Sequence, residues 1–108
     1  MINQETIVAL ATPNGLGAIS VIRISGLNAI SITEKLFKPK GNKKLSNQKS
    51  HTVHLGHLIR NGHELDEVLV TLFKGPHSYT GENTIEISCH GSTYIQQEII
   101  DLFIENGI

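Results

Sequence analysis

The sequence holds one cysteine, Cys89, and no tryptophan among 108 residues. A single thiol rules out a disulfide within the chain and fits a reducing compartment. Three phenylalanines and two tyrosines leave few platforms for stacked bases, which weakens a single-stranded nucleic-acid reading. Neither sign of charge dominates: nine Lys and Arg against ten Asp and Glu leave a net charge of -1. No global field therefore draws the chain to nucleic acid or membrane. No apolar run approaches the length of a bilayer span, and the N-terminus lacks the basic-then-apolar order of a signal peptide. A cytoplasmic protein without a membrane is the resulting expectation. Also missing is any Gly-x-x-x-x-Gly-Lys-Ser/Thr loop for nucleoside triphosphates. Gly15-Leu16-Gly17 fails the dinucleotide fingerprint, because Ser20 stands at the third glycine position and a strand follows.

What is there suits one small soluble domain. The apolar share is 39% and the mean hydropathy -0.05, and a chain of this length buries about two-thirds of its unfolded surface. Thr6 to Ala11 reads as a short buried strand, followed by the turn Thr12 to Gly17. Ala18 to Ser25 is the next strand, with Ile19, Val21 and Arg23 on one face and Ser20, Ile22 and Ile24 on the other. Asn28 to Phe37 reads as a helix with Ser25 or Asn28 as N-cap, burying Ala29, Ile32 and Leu36. Lys38 to Ser50 reads as a polar loop. His51 to Arg60 and Glu64 to Phe73 flank Asn61-Gly62, the strongest short hairpin signal, since both turn residues tolerate positive φ. Thr84 to His90 is a strand by its alternation and β-branched content. Ser92 to Asn106 is the best helix, burying Ile95, Ile99, Leu102 and Phe103; Thr93 with Gln96 suggests a capping box, and Gly107 a C′ residue. The order ββαβββα predicts an α+β domain, helices packed on one face of a mixed sheet. The chain stops just after the last helix, which suggests a missing closing element or an outside cover for that helix.

The stretch Gly75 to Gly91 gathers the candidate chemistry. Its strand places Glu86, Ser88 and His90 on one face and Ile85, Ile87 and Cys89 on the other. Arg23 is out of place in an apolar strand, since arginine is rarely buried unpaired. Two readings stand: a structural ion pair with Glu86 across the sheet, or two charges facing a common cavity that holds a polar ligand. Six histidines invite a metal, but the spacing of His51, His54 and His57 sends His54 to the opposite face, so no metal site is expected. Cys89 and His90 diverge in the same way, which makes Cys89 a buried, inert thiol. Ser78 and Tyr79 have no base at fixed spacing, so no catalytic residue is assigned. Six lysines fall between Lys35 and His51 without interleaved aromatics, a weak signal for RNA.

Two stretches carry a resemblance. Thr6 to Gly26, with Ala11-Thr-Pro-x-Gly-x-Gly and Ile22-Arg-Ile-Ser-Gly, resembles the N-terminal opening of the MnmE (TrmE) family of tRNA-modification GTPases. Gly75-Pro-x-Ser-Tyr-Thr-Gly-Glu-x-x-x-Glu-Ile-x-Cys-His-Gly91 is similar to the second hallmark of the same domain, and Leu65-Asp66-Glu67 fits as well. The resemblance covers nearly the whole chain apart from the lysine loop. It implies a cytoplasmic homodimeric GTPase that works with MnmG, an FAD-dependent partner, on the wobble uridine of tRNA, a carboxymethylaminomethyl-type modification. It also implies an N-terminal domain like the folate-binding domain of glycine-cleavage T-protein-like aminomethyltransferases, which dimerises and binds a tetrahydrofolate derivative (5-formyl- or methylene-tetrahydrofolate). The family's folate-contacting arginine and strand glutamate fall on Arg23 and Glu86. A carboxylate such as Glu86 suits the adjacent N–H donors of a pterin edge, and Arg23 suits a ring carbonyl or a tail carboxylate.

Against the family pattern, the helical domain, the inserted G domain and the C-terminal cysteine motif are not in this sequence. GTP, Mg2+ and K+ are thus expected only in the missing G domain, and these residues alone are not expected to hydrolyse GTP. A folate-contacting lysine of the family falls beyond Ile108, and Asn83 stands where many relatives carry Asp. The expectation is residues 1–108 as a fragment of the tetrahydrofolate-binding and dimerisation domain. A folate-dependent aminomethyltransferase fragment and a purely structural dimerisation domain are the alternatives.

Overall fold

The computed structural model describes residues 5–12, 18–76 and 81–108. Within them the chain runs β1 (Ile7–Leu10), β2 (Ile19–Ser25), α1 (Ala29–Leu36), β3 (Phe37–Pro39), a 3-10 turn (Leu45–Asn47), β4 (Thr52–Arg60), β5 (His63–Phe73), β6 (Thr84–His90) and α2 (Thr93–Glu105). The six strands form one sheet in the order β1-β2-β6-β5-β4-β3. Every pairing is antiparallel, so the α+β class holds with an antiparallel sheet in place of the expected mixed one. The β4–β5 hairpin, with Arg60 opposite His63, is a connection that only antiparallel neighbours can use.

Asn61 and Gly62 turn the β4–β5 hairpin at φ 51° and 79°, with Arg60 opposite His63, as a two-residue primed turn requires. The strand alternation works as read. Ile22, Ile24, Val68, Val70, Leu72, Ile85, Ile87 and Cys89 point to one face and meet Ile32, Leu36, Ile99, Leu102 and Phe103 of the helices in a single buried core. The opposite face carries Ile7, Ile19, Val53, Leu55 and Leu69, all exposed, together with Arg23 and Glu86. Among the described residues, no helix is long and apolar enough to cross a membrane.

Four local readings change. β1, expected to be buried, is an edge strand of the sheet with Ile7 54% exposed, because only one neighbouring strand covers it. The stretch from Lys38 begins as a strand, since Phe37–Pro39 pairs with β4; three residues ending in proline leave no periodicity to read, and proline is tolerated there because the strand is an edge. Asn28 sits at the N-cap of α1 but its side chain makes no cap bond; its backbone N–H donates instead to Thr6 Oγ1 at 3.0 Å. At α2 the cap is Ser92, whose Oγ accepts from Ile95 N at 3.1 Å. Gln96, expected to close a box with Thr93, is buried and donates to Ser20 Oγ at 2.6 Å. The C-terminus of α2 follows the reading: Gly107 takes φ 105°, and Gly107 N and Ile108 N donate to Ile104 O and Phe103 O, a Schellman closure.

Gly26 fixes β1 against β2. Its φ is 138°, and a Cβ there would lie 2.5 Å from Thr6 Cα, so only glycine lets the two strands approach.

Candidate functional site

β2 and β6 are neighbours with Arg23 directly opposite Glu86. Arg23 Nε and Nη2 both donate to Glu86 Oε2, at 3.0 and 2.7 Å. Of their side-chain surfaces, 36% and 28% remain exposed, so the pair is partly open to solvent on the face that none of the described helices covers. The two residues singled out by strand alternation are therefore brought together.

Beside the guanidinium opens a cavity of about 300 Å³ lined by Ile7, Ala9, Leu10, Ala11, Ser25 and Glu82. Ser25 and Glu82 were not singled out by sequence reasoning. Ser25 Oγ donates to Glu82 Oε2 at 3.0 Å. Ser25 shares the outer face with Arg23 by the same alternation, which was the available signal. Asn83 ties the two hallmark stretches: its backbone O accepts from Gly26 N at 3.0 Å, and its Oδ1 accepts from Gly75 N at 3.0 Å. An aspartate accepts that bond equally well. Pro13 to Gly17 and His77 to Thr80 lie outside the described residues, and with them the Gly15–Gly17 turn, Ser78 and Tyr79.

The expected row of Glu86, Ser88 and His90 divides between two partners. Glu86 goes to Arg23, whereas His90 is drawn to Asp66, with Nδ1 at 2.6 Å from Oδ1 and its backbone N–H donating to Oδ2 at 3.1 Å. Asp66 is 9% exposed and His90 70%, so a largely covered carboxylate orients a solvent-facing imidazole. Ser88 and His90 line a second cleft of about 340 Å³ with Ile19, Leu55, Leu69 and Glu67. No spacing rule couples Asp66 to His90, which meet only through the β5–β6 pairing.

Cys89 lies on the core face, buried, its Sγ donating to Ser20 O at 3.5 Å. Burial, with Asp66 adding to it, pushes its thiol up to about 11, as expected for an inert cysteine. The histidines separate: His51 packs edge-on against Phe73. His54 bonds to Thr52 Oγ1 at 2.8 Å, and burial pulls it below its ordinary value. His57 stands 3.6 Å from both Glu64 and Glu67.

The sequence profile of the family described as GTP-binding protein TrmE N-terminus matches residues 6–108. The chain belongs to that family. It is 67% identical over 107 residues to a protein named tRNA modification GTPase MnmE from Flavobacterium johnsoniae, covering 99% of this chain and 23% of that protein. Proteins of the same name from Flavobacterium psychrophilum and Bacteroides thetaiotaomicron are 62% and 54% identical over 107 and 106 residues, covering 99% and 97% of this chain and 23% of each. The chain thus spans less than a quarter of the length of these relatives. In this TrmE N-terminus domain, the stretches that carry the family resemblance converge in space: β2 supplies Arg23 and Ser25, and the segment entering β6 supplies Glu82, Asn83 and Glu86.

Proposed function

We propose that residues 1–108 belong to the one-carbon-tetrahydrofolate-binding and dimerisation domain of a cytoplasmic tRNA-modification GTPase. The full-length parent would hydrolyse GTP, with Mg2+ and K+, in a G domain outside this sequence, and would act with MnmG on the wobble uridine of tRNA. The observation that carries the folate reading is the partly exposed Arg23–Glu86 pair beside a cavity of about 300 Å³ with an apolar wall. The donor set fits a reduced folate: a carboxylate accepts the N–H groups of a pterin edge, a guanidinium donates to a carbonyl or carboxylate, and Ile7, Ala9 and Leu10 offer the flat ring an apolar surface. When bound, such a cofactor supplies a one-carbon unit at the formyl or methylene level. The likeness to the folate-binding domain of aminomethyltransferases is part of this reading. The work of this chain is to orient the ring and to exclude water on the apolar side.

Calorimetric titration with 5-formyltetrahydrofolate of the wild type, Arg23→Ala and Glu86→Gln tests it. Each substitution removes a charged hydrogen bond and should weaken binding by about 1.5–3 kcal/mol, a factor of roughly ten to a hundred. Equal affinity in all three proteins would discard the site. The direct ion pair also favours a second reading, a structural dimerisation domain in which the two charges only hold each other. Urea melts separate the two. A pair this exposed contributes about 0–1 kcal/mol, so Glu86→Gln should leave stability nearly unchanged under the folate reading. A loss near 3–5 kcal/mol would mark a buried structural pair.

A further inference from the structure

Charge in this chain is segregated along the sequence. Residues 35–49 contain six lysines and no acidic residue, while the rest of the chain holds ten acids against three cations. A chain with a net charge of -1 therefore carries a concentrated basic segment. All six lysines are exposed, and the backbone that carries them is folded onto the domain. Phe37 and Leu45 are buried anchors. The Glu34 carboxylate accepts Ser46 N at 2.8 Å, Lys74 Nζ donates to Ser46 O at 3.0 Å, and Lys40 N donates to Leu55 O at 2.9 Å.

Most of this charge is uncommitted. Lys40 reaches Glu67 at 3.6 Å, and Lys44 is felt by Glu34, whose carboxyl is held below its usual range chiefly by the Ser46 hydrogen bonds. Among the described residues, Lys35, Lys38, Lys43 and Lys49 have no ion-pair partner. Part of the pattern has a plainer cause, since lysine and proline on β3 protect a sheet edge from pairing with another chain. That accounts for Lys38 and Lys40. Lys43, Lys44 and Lys49 lie beyond the strand, where no edge needs guarding.

We infer that Lys35, Lys43, Lys44 and Lys49 form a docking patch for the phosphodiester backbone of RNA. The large apolar side chains of the segment, Leu36, Phe37 and Leu45, are buried. The patch therefore has neither a ring on which a base stacks nor a hydrophobic side chain to enter a lipid surface. Such a patch reads phosphates and not sequence, which positions an RNA without choosing it. RNA is favoured over other polyanions because this inference rests on reading the chain as part of a tRNA-modifying protein.

Binding of the full 108-residue chain to an unmodified tRNA transcript, followed by fluorescence anisotropy across a potassium chloride series, tests it. Replacing Lys43, Lys44 and Lys49 together by Gln should lower the slope of log affinity against log salt by roughly 2 to 3, at about 0.7–0.9 per phosphate contact. Affinity at moderate salt should fall at least about tenfold. The triple Arg variant keeps the charges and should bind like the wild type. Lys38 and Lys40 remain in place, so the sheet edge stays guarded, and unchanged thermal melts verify the fold. An unaltered slope in the Gln variant, or no tRNA binding by the wild type, overturns the inference. Displacement of the tRNA by phosphatidylserine vesicles at matched charge overturns its commitment to RNA. A 5-formyltetrahydrofolate titration of the same Gln variant should be unchanged, which keeps a failure here distinct from a failure of the folate reading.

Discussion

Cys89 and Glu86 stand three residues apart on β6 and face different solvents. Glu86 looks into water beside Arg23, where a charge is cheap to keep. Cys89 is 4% exposed among Ile85, Ile87 and the helices, where burial disfavours the thiolate and holds the thiol near 11. Because the thiolate is the attacking species, the native protein should remain unlabelled by a maleimide at neutral pH and take up one equivalent only after unfolding in urea. Rapid stoichiometric labelling of the folded protein would contradict the burial. Both residues were legible from alternation alone, since side chains two apart on a strand share a face. Asp66 was not: it lies inside β5 among other acidic residues, and its bond to His90 spans 24 residues.

Element ends were harder to read than elements. α2 begins at Ser92, which satisfies Ile95 N, while Thr93 is exposed and already inside the helix. Ser92→Ala should therefore lower stability by about 1 kcal/mol, whereas Thr93→Ala should change it by less than about 0.5 kcal/mol. Equal losses in urea melts would restore the offset cap. The ambiguity is physical, because two hydroxyl residues in a row present the same chemistry and only the backbone decides which is half outside. Gln96 misled for a related reason: at three residues after Thr93 it matches a capping box, yet it faces the sheet and finds Ser20. The strands of seven residues or more, β2, β4, β5 and β6, were readable because each repeats its alternation several times. β3 repeats nothing. Its partner strand and its proline made it an edge, and neither is visible locally.

At the scale of the molecule, the described helices cover one face of the sheet. Ile7, Ile19, Val53, Leu55 and Leu69 are left exposed on the other, with Ile19, Leu55 and Leu69 around one cleft, and clustered apolar surface of this kind marks an interface. The proposed homodimer accordingly uses this face. Light scattering coupled to size exclusion should return twice the 11.8 kDa chain mass, and Leu55→Glu with Leu69→Glu should return the monomer. A monomeric wild type at high concentration would remove the dimer from the proposal. The strand order has a temporal side. Arg23 and Glu86 are 63 residues apart, and β3, β4 and β5 are all encoded between them. On the ribosome, Arg23 emerges while its partner strand is still unwritten. No nascent chain that ends before β6 possesses the pair or the Glu82 side of its cavity. A ligand therefore cannot template the early strands at this pair; it can only select among chains that have already completed the sheet.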